Sequence, residues 1–260
     1  MLERSLFSGP IQTGWAFFLP ILLLLLTAGP VLAQQGDMSH EAAHEHGGMH
    51  DGSHLRAPGP HWEGSAEGVA YSNFNHHLAG IFLLVIGMTE LWGALGIGML
   101  AWSRFLLPAA MFGAGAFLLI WSDHEAWPIG SMSLAQTLLG GDWEILQHKT
   151  YAVLLLSVGT VEGLRWLGRL RHVLWSLPFP AFAIIGGLML FLHSHGDHPS
   201  AHQIAVNHAI MGTLAVAAGF CKLVSVRTSV KGKGGDVQRW ELVWAGCILL
   251  VGLLLLFYSE

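Results

Sequence analysis

The sequence predicts an all-α membrane protein with six transmembrane helices, on the basis of three observations. Apolar residues make up 53% of the 260 residues and charged residues 11%, against about 25% charged residues in an average soluble domain. Six apolar stretches are each long enough to cross about 30 Å of hydrocarbon as a helix. Nine of the 12 basic residues fall in or beside alternate connections between these stretches. The net charge of −5 and the mean hydropathy of +0.52 exclude a basic nucleic-acid-binding protein.

The first 33 residues predict a cleaved signal peptide. Arg4 precedes an apolar run, Trp15–Ala28, of about 14 residues, which is short for a membrane span but typical of a signal-peptide core. The small residue Ala33 then provides a cleavage site. Because Glu3 offsets the charge of Arg4, an uncleaved membrane anchor is the alternative.

Residues 34–72 predict a disordered periplasmic tail, because they are polar, rich in glycine and poor in apolar side chains. Imidazole and thioether groups together suit copper in either oxidation state, although histidine runs also bind zinc and nickel. We interpret the tail as a metal-capture segment, with incidental histidines as the alternative. Its candidate ligands are Met38, His40, His44, His46, Met49, His50, His54 and His61.

The remaining chain, residues 73–260, predicts one membrane domain of three helical hairpins. It leaves no room for a soluble catalytic domain, and it contains no nucleophile-elbow, phosphate-loop, zinc-protease or dinucleotide-binding motif. Catalysis is therefore not indicated. The predicted spans are 74–98, 103–122, 149–168, 173–193, 203–224 and 240–258.

The basic residues predict the orientation of these spans. Nine of the 12 lysines and arginines lie in, or at the span ends beside, the connections from span one to two, three to four, and five to six. The positive-inside rule makes that side cytoplasmic. We therefore expect a bacterial inner-membrane protein whose mature N-terminus and C-terminus both face the periplasm.

With this orientation, nine of the ten histidines of the membrane domain lie at its periplasmic side, and His172 alone lies at the other. Ionisable groups in a membrane are costly and point to function. We predict a metal site there, with interfacial histidines bound to headgroups or backbone as the alternative. The candidate ligands are His76, His77, His124, His148, His193, His195, His198, His202 and His208.

A weak internal repeat links three of the spans. An amide precedes a histidine at Asn75-His76, Gln147-His148 and Asn207-His208, and the fourteenth residue after each histidine is charged: Glu90, Glu162 and Lys222. Fourteen residues are nearly four helical turns, so each histidine and its charge lie near one face. The repeat favours His76 over His77 as the inward ligand.

Two carboxylates lie well inside the apolar stretches, and each has two interpretations. Glu90 and Glu162 could form an ion or proton path beneath the histidines, or they could pair with Arg104 or Arg165, which we favour. Cys221 is either an ordinary small membrane residue or a thiolate acceptor for Cu(I) at the cytoplasmic side.

Three short motifs resemble the copper resistance protein D family: SDHEAWPIG from Ser122, EILQHK from Glu144 and LHSHGDH from Leu192. The resemblance covers residues 73–224. It implies an inner-membrane helical protein linked to copper uptake or tolerance, commonly beside a periplasmic copper carrier. The positions that carry over are His124, Trp127, Pro128, His148, His193 and His195.

The sequence thus supports three hypotheses. The leading one is a copper-binding membrane protein whose tail feeds an outer histidine cluster, with membrane lipid and a periplasmic copper carrier as partners. The second is a cytochrome that transfers electrons and holds haem b between the same histidines. The third is an accessory subunit of a larger membrane complex, with structural histidines. A homo-oligomer is the other assembly that we consider.

Overall fold

The computed structural model describes residues 64–97, 102–193, 200–230 and 234–259. This part of the chain contains helices and loops but no strand, which confirms the predicted all-α class. Short 3-10 turns, Ser103–Phe105 and Val173–Ser176, lead into the second and fifth helices. The helices are α1 Ala66–Ala94, α2 Leu106–Ile120, α3 Leu134–Leu139, α4 Trp143–Trp166, α5 Pro178–Leu190, α6 Ala201–Val230 and α7 Gly234–Leu256.

Five of these helices are long and apolar enough to cross a membrane. They are α1, α6 and α7, together with α2 and α5 when each is counted with the 3-10 turn that precedes it. This composition is consistent with a multi-pass membrane protein. The remaining predicted span corresponds to α4. This helix has 24 residues, but it carries Glu144, Lys149, Glu162 and Arg165. The sixth span therefore stays a prediction.

Two helices begin earlier than their apolar stretches because polar side chains cap them. Helix α1 begins at Ala66, where the Ser65 side chain accepts a hydrogen bond of 3.1 Å from the Gly68 amide. Helix α4 begins at Trp143, where Asp142 accepts one of 3.1 Å from the Ile145 amide. These bonds satisfy amides that the first helical turn leaves without a partner. Residues 66–72 of the predicted tail are consequently helical, whereas the predicted signal peptide and the tail ligands lie outside the described residues.

The helices pair differently from the three predicted hairpins. Helix α7 packs against α1 and α6, α6 packs against α5, and α2 packs against α4. The expected pairing therefore holds for α6 with α7, while α1 with α2 and α4 with α5 are weaker contacts. Glycines bring the strong pairs close: a Cβ on Gly187 would lie 2.7 Å from the Gly212 carbonyl oxygen, and one on Gly80 would lie 2.8 Å from that of Gly252.

The loop between α2 and α3 is held by its own hydrogen bonds. The Gly130 amide donates to the Ala126 carbonyl at 2.8 Å, and the Met132 amide donates to the Glu125 carbonyl at 3.0 Å. The Trp127 amide donates to the Thr137 hydroxyl at 2.9 Å, which ties the loop to α3. These hydrogen bonds hold the first residues of the loop close to the start of α4, where Asp123 contacts His148.

Candidate metal centre

Four histidines from four parts of the fold lie in a row at one end of the helix bundle. His148 of α4, His193 after α5, His208 of α6 and His76 of α1 follow one another with ring-centroid distances of 5.6, 4.9 and 6.0 Å. We call these four residues the histidine cluster. His208 is 2% exposed, and the other three are partly buried.

One group within this end has the geometry of a metal site. Ligand atoms of Glu144, His148 and His193 all lie within 4.8 Å of one another. Glu144 and His148 lie four residues apart on α4, so their side chains share one face of the helix. Two imidazoles and a carboxylate form a ligand set that binds divalent transition-metal ions. Glu144 was not among the predicted ligands, although its spacing from His148 in the sequence is the signal that could have identified it.

Asp123 holds His148 in the orientation that metal binding requires. Its carboxylate accepts hydrogen bonds from His148 Nδ1 at 2.8 Å and from the Ser122 hydroxyl at 2.5 Å, and Lys149 Nζ lies 3.2 Å away. Burial by itself would raise the pKa of Asp123, but these hydrogen bonds and the positive charges hold the pKa below its usual value. Because a carboxylate only accepts, His148 donates from Nδ1 and keeps Nε2 as the ligating nitrogen.

Two other members of the histidine cluster are oriented in the same way. His193 Nδ1 lies 2.7 Å from Gln147 Oε1, and Gln147 is 1% exposed. His76 Nδ1 donates to the Ser72 carbonyl at 2.8 Å. With Nδ1 engaged in each ring, Nε2 is the nitrogen that would bind a metal ion. Gln147 belongs to the predicted amide-histidine repeat, but its contact with His193 was not foreseen.

Tyr258, just beyond α7, covers the α1 side of the cluster. Its ring is 3% exposed and stacks on His76 with a centroid distance of 3.9 Å. Its carbonyl lies 2.9 Å from His77 Nε2, which donates to it. The structure thus places His76 in the cluster and turns the neighbouring His77 towards the backbone that follows α7.

Two further predicted histidine ligands that the structure describes, His124 and His202, do not lie in the cluster. His124 lies in the loop after α2, with Nε2 4.0 Å from Glu125 Oε1 and its ring 5.8 Å from that of Tyr71. His202 is exposed in the first turn of α6. His195 and His198 lie outside the described residues.

A cavity of about 530 Å³ passes the histidine cluster and continues into the bundle. Polar residues line it beside the cluster, among them Asn75, Asp123 and Glu144. Apolar residues line it further in, as far as Trp244, which is fully buried. The candidate metal centre therefore lies on the wall of a pocket rather than on a flat surface.

The opposite end of the bundle holds a partly buried ion-pair network. Lys222 Nζ lies 2.5 Å from Glu90 Oε2 and 2.6 Å from Glu241 Oε2. Trp244 Nε1 donates to Glu90 at 2.7 Å, and the Ser225 hydroxyl donates to Glu241. We call Glu90, Lys222 and Glu241 the lysine triad.

The two predicted inner carboxylates are therefore both engaged in ion pairs. Glu162 pairs with Arg165 at 2.7 Å, as the favoured interpretation expected. Glu90 pairs with Lys222 rather than with Arg104. Cys221, beside Lys222 in the sequence, is a partly buried free thiol.

No family model, curated protein or solved structure matches this chain. The resemblance to the copper resistance protein D family therefore rests on the three motifs alone. Three residues of these motifs, Glu144, His148 and His193, meet in the metal-site geometry described above.

Replacement of Asp123 tests its role at this site. Asp123→Asn keeps an acceptor for His148 Nδ1 but removes its charge, so we expect the affinity for copper, the metal that the sequence predicts, to fall roughly 10–100-fold, the usual effect of mutating the residue that orients a ligating histidine. The measurement is a competition titration with a copper chelator at pH 7. Glu125→Gln, in the same loop, is the matched control and should leave the affinity unchanged. Equal affinity of Asp123→Asn and the wild type would remove Asp123 from the site.

Proposed function

We propose that this chain is a membrane protein that binds copper at Glu144, His148 and His193 and takes part in copper uptake, tolerance or delivery. The convergence of these three side chains, with ligand atoms within 4.8 Å of one another, carries the proposal. Neutral imidazole and carboxylate ligands suit Cu(II). His208 and His76 extend the row and offer further imidazoles to an ion that leaves the first three.

The tail gives the site a source of metal. Its histidines and methionines between Met38 and His61 supply both nitrogen and sulfur ligands to copper. In the proposed orientation, the chain lies in a bacterial inner membrane and the histidine cluster faces the periplasm, because nine of the 12 basic residues lie on the other side. The tail then delivers copper to the site and takes the place of a separate periplasmic copper carrier.

The spacing of the rings in the cluster bears on the haem alternative. An axial pair of imidazoles has a porphyrin between its rings. His193 and His208 instead pack edge to face at 4.9 Å, and His76 stacks on Tyr258 at 3.9 Å. At 4.9 Å the rings of His193 and His208 contact each other and leave no room for a porphyrin, whereas the pairs at 5.6 and 6.0 Å are spaced much as axial ligands are, so haem stays the alternative.

An absorption spectrum combined with a copper titration tests the proposal. The purified full chain and a variant that lacks residues 34–61 are compared, before and after reduction. We expect a single tightly bound copper ion to survive the loss of the tail, and no Soret band. A Soret band that shifts on reduction would establish the haem alternative. Loss of all tight copper binding with the tail would show that the helical bundle holds no copper site.

A further inference from the structure

The cavity has an apolar stripe that begins at a single polar residue. Asn75, Ala79, Phe82 and Ile86 of α1 all line the cavity, and their spacing of four, three and four residues places them on one face of the helix. At 1.5 Å per residue, the stripe runs about 16 Å along α1. A molecule lying against it would have one end at Asn75 and its body deeper in the bundle.

The inner part of the cavity offers apolar contacts. Met111, Leu155 and Ile248 line its walls. Tyr151 and Trp244 also line this part, but their polar atoms are already hydrogen-bonded to other residues. The Tyr151 hydroxyl donates to the Gly186 carbonyl at 2.6 Å, and Trp244 Nε1 donates to Glu90 at 2.7 Å. An apolar cavity does not retain ordered water but takes up apolar molecules.

Asn75, at the outer end of the stripe, has a side-chain oxygen that needs a hydrogen-bond donor. Asn75 Nδ2 donates to the Ser122 carbonyl at 3.3 Å, and because a carbonyl cannot donate, this contact fixes which way the amide points. Asn75 Oδ1 is then a buried acceptor without a hydrogen-bond partner among the described residues. A buried acceptor left unpaired is costly. A hydroxyl group of a ligand in the cavity would satisfy it.

We infer that this cavity binds a membrane quinol. The ring hydroxyl donates to Asn75 Oδ1, and the ring and the first units of its apolar tail lie along Ala79, Phe82 and Ile86. The flat ring suits this end of the cavity, which is lined by the aromatic ring of Phe117 as well as by the histidine cluster. The inference rests on the cavity and on Asn75, and it does not depend on copper binding.

Titration with decylubiquinol and its oxidised form, decylubiquinone, tests the hydrogen bond. Calorimetric titration of the full chain should show saturable binding of decylubiquinol. The quinone has no hydroxyl to donate, so Asn75→Leu should weaken quinol binding about tenfold while quinone binding changes less than about twofold. Equal losses for both forms, or no binding of either to the wild type, would overturn the inference.

A second pair of variants tests the location. Ala215 of α6 lines the cavity, whereas Ala217 of the same helix is exposed. Ala215→Phe should abolish decylubiquinol binding, and Ala217→Phe should leave it intact. Circular dichroism and the unfolding midpoint in a denaturing detergent are measured on both, because unchanged values show that the variant is folded. Quinol binding by Ala215→Phe with the wild-type affinity would place the quinol outside this cavity.

Discussion

Lys222→Met should lower the free energy of unfolding by about 3–5 kcal/mol, the range for a buried ion pair that loses one partner. The Lys222 side chain is 17% exposed, and it lies within 2.6 Å of carboxylate oxygens of both Glu90 and Glu241. Without the ammonium group, these two carboxylates face each other inside the bundle with no cation between them. Unfolding of the detergent-solubilised protein by a denaturing detergent, followed by circular dichroism, measures the loss.

Two further variants separate the lysine triad from a general effect of removing a lysine. Arg227→Met replaces an exposed basic residue of the same helix and should change stability by less than about 0.5 kcal/mol. Lys222→Met combined with Glu90→Gln and Glu241→Gln should recover most of the loss, because no charge is then left unpaired. Equal stability of Lys222→Met and Arg227→Met would show that the triad contributes nothing to stability.

The helices could be predicted from the sequence because composition alone forces them. Long apolar stretches in a membrane must satisfy their backbone hydrogen bonds internally, and a helix does this. Their ends could not be predicted in the same way, since hydropathy shows where apolar residues begin and not where a cap stands. Ser65 and Asp142 start α1 and α4 within polar sequence, outside the stretches that hydropathy marks.

The repeat in the sequence predicted part of which residues lie at each end of the bundle. Its fourteen-residue spacing separates His76 from Glu90 and His208 from Lys222 by nearly four turns, and the structure pairs Glu90 with Lys222 at 2.5 Å. The partner of Glu90 could not be predicted from the sequence, in which Arg104 is the basic residue nearest to it. The two residues lie 132 positions apart, and only the packing of the helices brings them together.

The supporting residues of the metal centre were the least predictable part. His148 and His193 stand in motifs, but Asp123 reaches His148 through a loop whose hydrogen bonds depend on Gly130 and Thr137. Tyr258 reaches His76 because α7 packs against α1. Neither contact follows from periodicity, since both join segments that are distant in the sequence.

Joint replacement of two ligands should remove the copper site altogether. His148→Ala with His193→Ala leaves Glu144 as the last member of the group, and a lone carboxylate does not hold copper tightly. In the chain that lacks residues 34–61, we expect the tightly bound ion to disappear. In the full chain, the stoichiometry should fall by that ion while the tail keeps its own. Copper analysis after passage over a chelating resin measures both.

The pH dependence and a matched control decide whether the lost ion was held by imidazole. A proton competes with the metal for each ligating nitrogen, so tight copper binding should weaken as the pH falls below about 6.5. Asp123, whose pKa lies below its usual value, remains charged over that range and does not cause the loss. His77→Ala together with His202→Ala also removes two histidines, one bonded to the Tyr258 carbonyl and one exposed, and should retain the ion. If this control loses it as well, or if His148→Ala with His193→Ala keeps it, copper is bound elsewhere in the chain.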